Sequence, residues 1–423
     1  MNKLLQIFKI PDLRKKVFYV LLGLVAFRIL GAIPIPGIDA AKLAQFFNSN
    51  QIFGFFNLFS GGGLTNLSIV MLGVGPYITA TIIMQLLTMI FPSLKVMYYE
   101  EGAAGRAKFN RISRYLTIPL AALQAYTFLK LLGSQGILGT LTPLEALQNV
   151  LIITAGSMLL TWIGELIGEQ KIGNGISLII FAGIISALPT VIKNTVISFD
   201  PANLPTYIAF AILSVIIIAG VVFVNQGERK VPVSYSRRIR GNKVYGGSSS
   251  YLPLKINQAG VIPIIFAISI MLFPQFFAQI ISLFAPEPAA TLQNLINQFL
   301  NNQYIYSAVY FTLVVAFTYF YTSITFDPKE IAKNLQQSGG FVPGIRPGEP
   351  TGEYIGNLTK RLTLFGALFL GLIAVLPNLT QILTGVQTLT IGGTGLLIVV
   401  SVVLETIKQL DSELTLREYE GIQ

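Results

Sequence analysis

Neither cysteine nor histidine occurs among the 423 residues, so the side chains that most often act as nucleophile, general base or transition-metal ligand are missing. That removes disulfides, Cys/His metal sites and every Ser-His or Cys-His catalytic pair. No Asp pair sits in opposing apolar runs, as an intramembrane protease would need, and no Walker A phosphate loop is present, so any ATP must be hydrolysed by a partner. The ionisable candidates at membrane depth are few. Arg28 lies inside the first apolar run and is a functional hypothesis by default, but Pro34 is within two helical turns and its side chain can snorkel outward. Glu165 and Glu169 close the fourth run and read as interfacial. No carboxylate stands clearly at mid-membrane to couple transport to an ion gradient. The sequence therefore points to no enzyme and no cofactor.

What remains unusual is backbone. Phe53 to Met89 is apolar enough for a membrane, yet Gly61-Gly62-Gly63, Asn66 and Gly73-Val-Gly75-Pro76 interrupt it. Pro76 suits the first turn of a helix, and a helix from Pro76 to Phe91 spans only about 24 Å, short of the roughly 30 Å hydrocarbon core. The piece before it, Ile52 to Ser60, is shorter still. Its glycine-rich exit would leave backbone groups unpaired in lipid, so such a chain survives only inside protein or beside water. The spacing predicts a re-entrant segment followed by a short helix lining a cavity, with the rest built to surround it.

The elements that must surround it are membrane spans. Hydrophobic residues make up 53% of the chain and charged ones 11%, with a net charge of +10, far too apolar for a soluble two-domain protein. Hydropathy gives ten spans, at 17–34, the broken 52–91, 113–133, 147–168, 174–193, 205–225, 258–284, 304–326, 361–380 and 391–408. The first lacks a small-residue cleavage site and is expected to stay as an anchor. Ten spans put both termini on one side. Of the Lys and Arg residues, all but Arg28, Lys42, Lys130 and Lys193 fall on that side, which the positive-inside rule makes cytoplasmic. The link near 197–205 divides the spans five and five. Five is odd, so the halves 1–197 and 198–423 run in opposite directions: an all-α polytopic membrane protein of two inverted five-helix halves.

Two cytoplasmic loops stand out. The first, 226–257, carries Arg229, Lys230, Arg237, Arg238, Arg240, Lys243 and Lys255 against Glu228 alone. Val231, Val233 and Tyr235 alternate before Gly241-Asn242, and Val244-Tyr245 follow, so a β-hairpin is expected. The second, 327–360, holds a Pro- and Gly-rich tip around Arg346. The opposite connections, such as 285–302, carry almost no charge and read as lids.

Seven stretches in order, FRILGAIPIPGID (27–39), NLFSGGG (57–63), LGVGPYITATIIMQLLT (72–88), GNGISLIIFAGI (173–184), AGVIPIIFA (259–267), SGGFVPGIRPGEPT (338–351) and GGTGLLIVV (392–400), resemble the SecY family of protein-conducting channels. The resemblance spans nearly the whole chain. It implies an hourglass pore pinched by a ring of isoleucines, here Ile78 and Ile82, Ile176 and Ile180, Ile265, and Ile398. Within each pair the four-residue spacing puts both on one helix face. A narrow apolar constriction excludes ions by dewetting, where a charged ring would hold them.

The resemblance also implies a re-entrant plug at about 53–64, including Phe53, Phe56, Asn57, Phe59, Gly61, Gly62 and Gly63, with the glycines as hinge. Composition alone fits equally a short interfacial helix. A lateral gate is implied, with Gln85 and Asn257 as candidate polar contacts across it. Arg237, Arg238, Arg240, Lys243 and Arg346 look like the family's docking surface for the ribosome and the SecA motor ATPase, a basic patch suited to RNA phosphates or an acidic protein surface. Further implied partners are the small subunits SecE and SecG, the unfolded preprotein with its signal sequence, and membrane lipid, all at the bacterial cytoplasmic membrane. The competing reading is a secondary transporter, which also uses inverted repeats and broken helices.

Overall fold

The computed structural model describes residues 10–35, 63–64, 67–134, 138, 142–197, 201, 204–235, 238–240, 243–245, 249–384 and 392–420. A helix coincides with each apolar run. They are α1 (Pro11–Ala32), α2 (Gly75–Ile90) with the short α3 (Pro92–Tyr99), α4 (Gly102–Ser134), α5 (Pro143–Glu169), α6 (Gly175–Ile197), α7 (Leu204–Gln226), α8 (Ile262–Phe284), α10 (Gln303–Thr325), α12 (Glu349–Thr384) and α13 (Gly392–Glu420). Two more, α9 (Pro286–Asn301) and α11 (Pro328–Gln337), lie in connections. Among the described residues, Pro143–Glu169, Tyr207–Gln226, Gln303–Gln337 and Glu349–Leu376 are long and apolar enough to cross a bilayer unaided.

Local sequence explains the ends. α2 begins with proline in its first turn, where the missing N–H costs nothing. Phe91 is held extended ahead of Pro92, as the residue before proline prefers, and α3 departs at 112°. α5 starts on a full capping box, Thr142 with Glu145. α8 starts later than hydropathy predicts because Gly260 turns the chain at φ +63°, a conformation that favours glycine.

The chain divides into two compact units, Met1–Leu204 with Ser269–Gln298 and Val402–Gln423, and Pro205–Ile268 with Phe299–Ser401. In the first, α4 packs on α2, α3 and α5, and α5 packs on α6 and α1. α1 buries only a stripe, Leu13, Val20, Phe27 and Gly31. Phe18, Leu22, Val25 and Ile29 stay exposed, a pattern suited to lipid as solvent. Arg114 Nη1 on α4 donates to Glu165 Oε2 on α5 at 2.9 Å, so Glu165 is ion-paired to a neighbouring helix where only an interfacial position was expected.

In the second unit the two basic loops form one small folded body. Strands β1 (Glu228–Tyr235) and β4 (Ser249–Lys255) pair antiparallel from Glu228 opposite Lys255 to Ser234 opposite Ser249. The inner β2 (Arg238–Arg240) and β3 (Lys243–Tyr245) form the expected hairpin. Strand β5 (Gly340–Phe341), from the other loop, adds to the far edge of β1, giving the order β4-β1-β5. Val231, Leu254, Val342 and Ile355 make its core, with Phe326, Ile331 and Leu335 against them. The alternating valines of β1 thus bury one face, as a period of two requires.

Candidate functional site

The broken stretch is where sequence and structure meet most closely. Residues 67–74 form no regular helix, yet Leu67, Ser68, Val70, Met71 and Val74 are buried. Their backbone is paired: Ser68 N donates to the Gly63 carbonyl, Met71 N to Ser68, Gly73 N to Val70 and Gly75 N to Leu72. Two further bonds tie the segment to the end of α1, Ile35 N to the Leu67 carbonyl at 2.9 Å and Ile69 N to Ile33 at 3.0 Å. Leu64, Leu67 and Met71 pack with Phe128 and Leu132 of α4 and Ile153 of α5. Irregular backbone at this depth is satisfied inside protein, as the hydrocarbon environment demands. Gly156 makes the approach possible: a methyl built on it would lie 2.1 Å from the Ile69 carbonyl oxygen.

From this anchor α2 carries Ile78, 8% exposed, and Ile82, 3% exposed. The neighbouring hydroxyls are directed into the helix, Thr79 to the Gly75 carbonyl and Thr81 to Tyr77, so the helix presents apolar surface. On α6, Ile180 is buried and Ile176 is half-buried. Ile176 leans on α5: a methyl on Gly164 would meet its Cδ1 at 2.6 Å. Ile265 lies in the first turn of α8 and Ile398 on α13, both buried and both in the second unit.

The other predicted residues are placed as follows. Of the plug, Phe53, Phe56, Asn57, Phe59, Gly61 and Gly62 lie outside the described residues; Gly63 is buried. Gln85 on α2 has a buried Oε1 without a hydrogen-bond partner. Asn257 does not stand alone: its Nδ2 donates to Asn225 Oδ1 at 2.8 Å and to the Gly260 carbonyl at 3.1 Å, and Asn225 Nδ2 donates to Ser401 Oγ at 2.8 Å. Arg238, Arg240 and Lys243 are in the inner hairpin, and Arg237 lies outside the described residues. Arg346 is exposed on a turn between Gly344 and Gly348, both at positive φ, and its carbonyl accepts from Thr351 Oγ1 at 2.8 Å. Sequence reasoning missed Asn225, Ser401 and the β5 strand. A lone polar residue inside an apolar run was the available signal for the first two.

Buried isoleucines on short or bent helices, an irregular segment held by hydrogen bonds and a basic folded body agree with the sequence motifs, and the SecY family model matches residues 68–407. The chain belongs to the SecY family. It is 42% identical to the protein translocase subunit SecY of Corynebacterium glutamicum over all of both chains. Against that of Thermus thermophilus it is 44% identical over 98% of this chain and 95% of the other. Among solved structures, a protein conducting channel is similar at a TM-score of 0.66 and 24% identity, covering 94% of this chain and 92% of that one. Sec61 in a canine ribosome-channel complex gives 0.64 at 22%, with the same coverage. These establish the SecY fold: a mostly helical, multi-pass membrane protein.

Proposed function

We propose that this chain is the channel subunit of a bacterial protein translocase, passing unfolded preproteins across the cytoplasmic membrane and releasing hydrophobic segments sideways into lipid. The reading is supported by the isoleucines buried on α2, α6, α8 and α13, and separately by the irregular segment before α2, whose backbone is hydrogen-bonded within the protein. Ile78, Ile82, Ile176, Ile180, Ile265 and Ile398 together form the waist. Apolar walls at that width hold no water column, so ions, which cannot shed hydration there, are kept out. An extended polypeptide brings its own bulk and finds no charged group to trap it.

The segment 53–64 plugs the waist on the external side and the glycines 61–63 let it swing away. Gln85 and Asn257 flank the lateral exit. Each half, 1–197 and 198–423, supplies five spans of opposite direction. The chain performs no chemistry of its own; a motor ATPase or a translating ribosome supplies the push from the cytoplasm, where both termini lie, and small membrane subunits of the SecE and SecG type flank the bundle. Arg346 and the hairpin cations, held on one folded body, suit phosphate-rich RNA or an acidic protein face. Sec61 in its ribosome complex supports that docking by fold likeness.

The test is reconstitution into vesicles with SecE and the motor ATPase. An unfolded precursor becomes protected from added protease only when ATP is present. Protection without the motor, or none with every partner present, would overturn the reading.

A further inference from the structure

Resting on the waist reading above, we propose that Asn225 is the positioning residue that sets Ile265 and Ile398 relative to each other. It sits near the end of α7, in neither of the helices that carry those isoleucines, yet it bonds toward both. Its Oδ1 accepts from Asn257 Nδ2 at 2.8 Å and its Nδ2 donates to Ser401 Oγ at 2.8 Å. Asn257 in turn holds the Gly260 carbonyl at 3.1 Å, and so fixes the φ +63° turn that launches α8. Ile265 follows within that first turn, its N–H on the Val261 carbonyl. Ser401 lies three residues beyond Ile398, about one helical turn along α13.

Burial makes the arrangement matter. Asn257 and Ser401 are each 6% exposed, so a bond lost there is not replaced by water. The side chains beside them are aliphatic: Val402, Leu397 and Val261 are all buried. Two helices of an apolar bundle can slide or rotate against each other with little loss of packing contact, because one aliphatic contact resembles the next. A directional hydrogen-bonded relay removes that freedom. At a waist made of single side chains, a small rotation of α8 or α13 would replace an isoleucine by a gap. Asn225 thus acts through Asn257 and Ser401, and need not touch the translocating chain.

The experiment measures ion leak through the resting channel, assembled with its small subunits in vesicles, for Asn225→Leu, Ser401→Ala, Ser401→Thr, the double variant Asn225→Leu/Ser401→Ala and the reference Ile398→Asn. Breaking the relay, at both of its bonds in Asn225→Leu and at one in Ser401→Ala, should raise leak roughly fivefold in either. Ser401→Thr keeps the hydroxyl and should leak as wild type, a rescue that a merely structural loss of stability would not predict. The double variant should leak no more than Asn225→Leu, because both break one relay. If Asn225→Leu fails to assemble, Ser401→Ala against Ser401→Thr decides alone. Leak from Ile398→Asn with none from the relay variants, or additive leak in the double variant, overturns the proposal and leaves the waist standing. Silence from Ile398→Asn as well overturns both.

Discussion

Arg114 on α4 and Glu165 on α5 meet at 2.9 Å between two helices that pack on each other. The two are partly shielded, at 40% and 26% side-chain exposure, and Arg114 Nε is buried without a partner. Removing one partner therefore leaves a charge that neither water nor protein fully satisfies.

Glu165→Gln should cost about 1 kcal/mol, more than an exposed pair and less than a fully buried one. Replacing both residues by Gln should recover part of it, since no uncompensated charge remains. Trp162, the single tryptophan, lies on the same helix, so thermal unfolding in detergent followed by its fluorescence reports the change. A loss in the double variant equal to the sum of the Glu165→Gln and Arg114→Gln losses would mean that the pair does not interact energetically.

Gly156→Ala places a methyl where the Ile69 carbonyl oxygen stands. Forced repacking of that kind costs about 1 to 3 kcal/mol. It should also disturb the segment that leads into α2, so the resting channel should leak as well as melt earlier. A variant with lower melting temperature and unchanged leak would separate the anchor from the waist.

The small strand-built body offers the opposite separation. Arg346→Glu, on an exposed turn, should weaken motor or ribosome binding by about tenfold, with strong salt dependence, and leave resting leak untouched. Gly340 pairs with Tyr235 in the sheet, and a methyl on it would lie 3.0 Å from the Tyr235 ring. Gly340→Val should therefore unhitch β5 and mimic Arg346→Glu in a binding assay. Normal binding with Gly340→Val would show that the tip does not need the sheet.

Helices α1 and α13 also meet. Lys16 Nζ lies 3.3 Å from Glu413 Oε2, beside a contact of Leu13 with Leu414. Because the protein has no native cysteine, a Lys16→Cys/Glu413→Cys variant should crosslink within one chain. Crosslinked dimers without an intramolecular product would contradict the contact.

Much of this was legible in the sequence because membranes narrow the options. Apolar runs must be helices, and each run has one. The break before Pro76 had to be buried and internally bonded, and it is. The alternating valines of 231 and 233 signalled the strand, and Gly241-Asn242 signalled the hairpin that Arg238–Arg240 and Lys243–Tyr245 form. What escaped were relations between distant segments. Nothing in Gly340-Phe341 announces a third strand, since two residues carry no periodicity and their partner lies a hundred residues away. Asn225 and Ser401 looked like isolated polar interruptions; only folding shows that they are one relay. The start of α8 moved because hydropathy scores side chains and is blind to a glycine at positive φ. Ile176 and Ile180 keep the helical spacing read from the sequence, and Ile176 also packs against Gly164 of the preceding helix α5.

The account stands or falls on whether side chains without charge keep salt out at the narrowest point. Single-channel conductance of the resting complex tests this directly, comparing wild type with Ile82→Asn and Ile398→Asn. Polar side chains that hold water at the waist should raise the resting conductance well above the wild-type level, on the order of tenfold or more given the steepness of dewetting. Conductance unchanged by both substitutions would place the seal elsewhere and contradict the account.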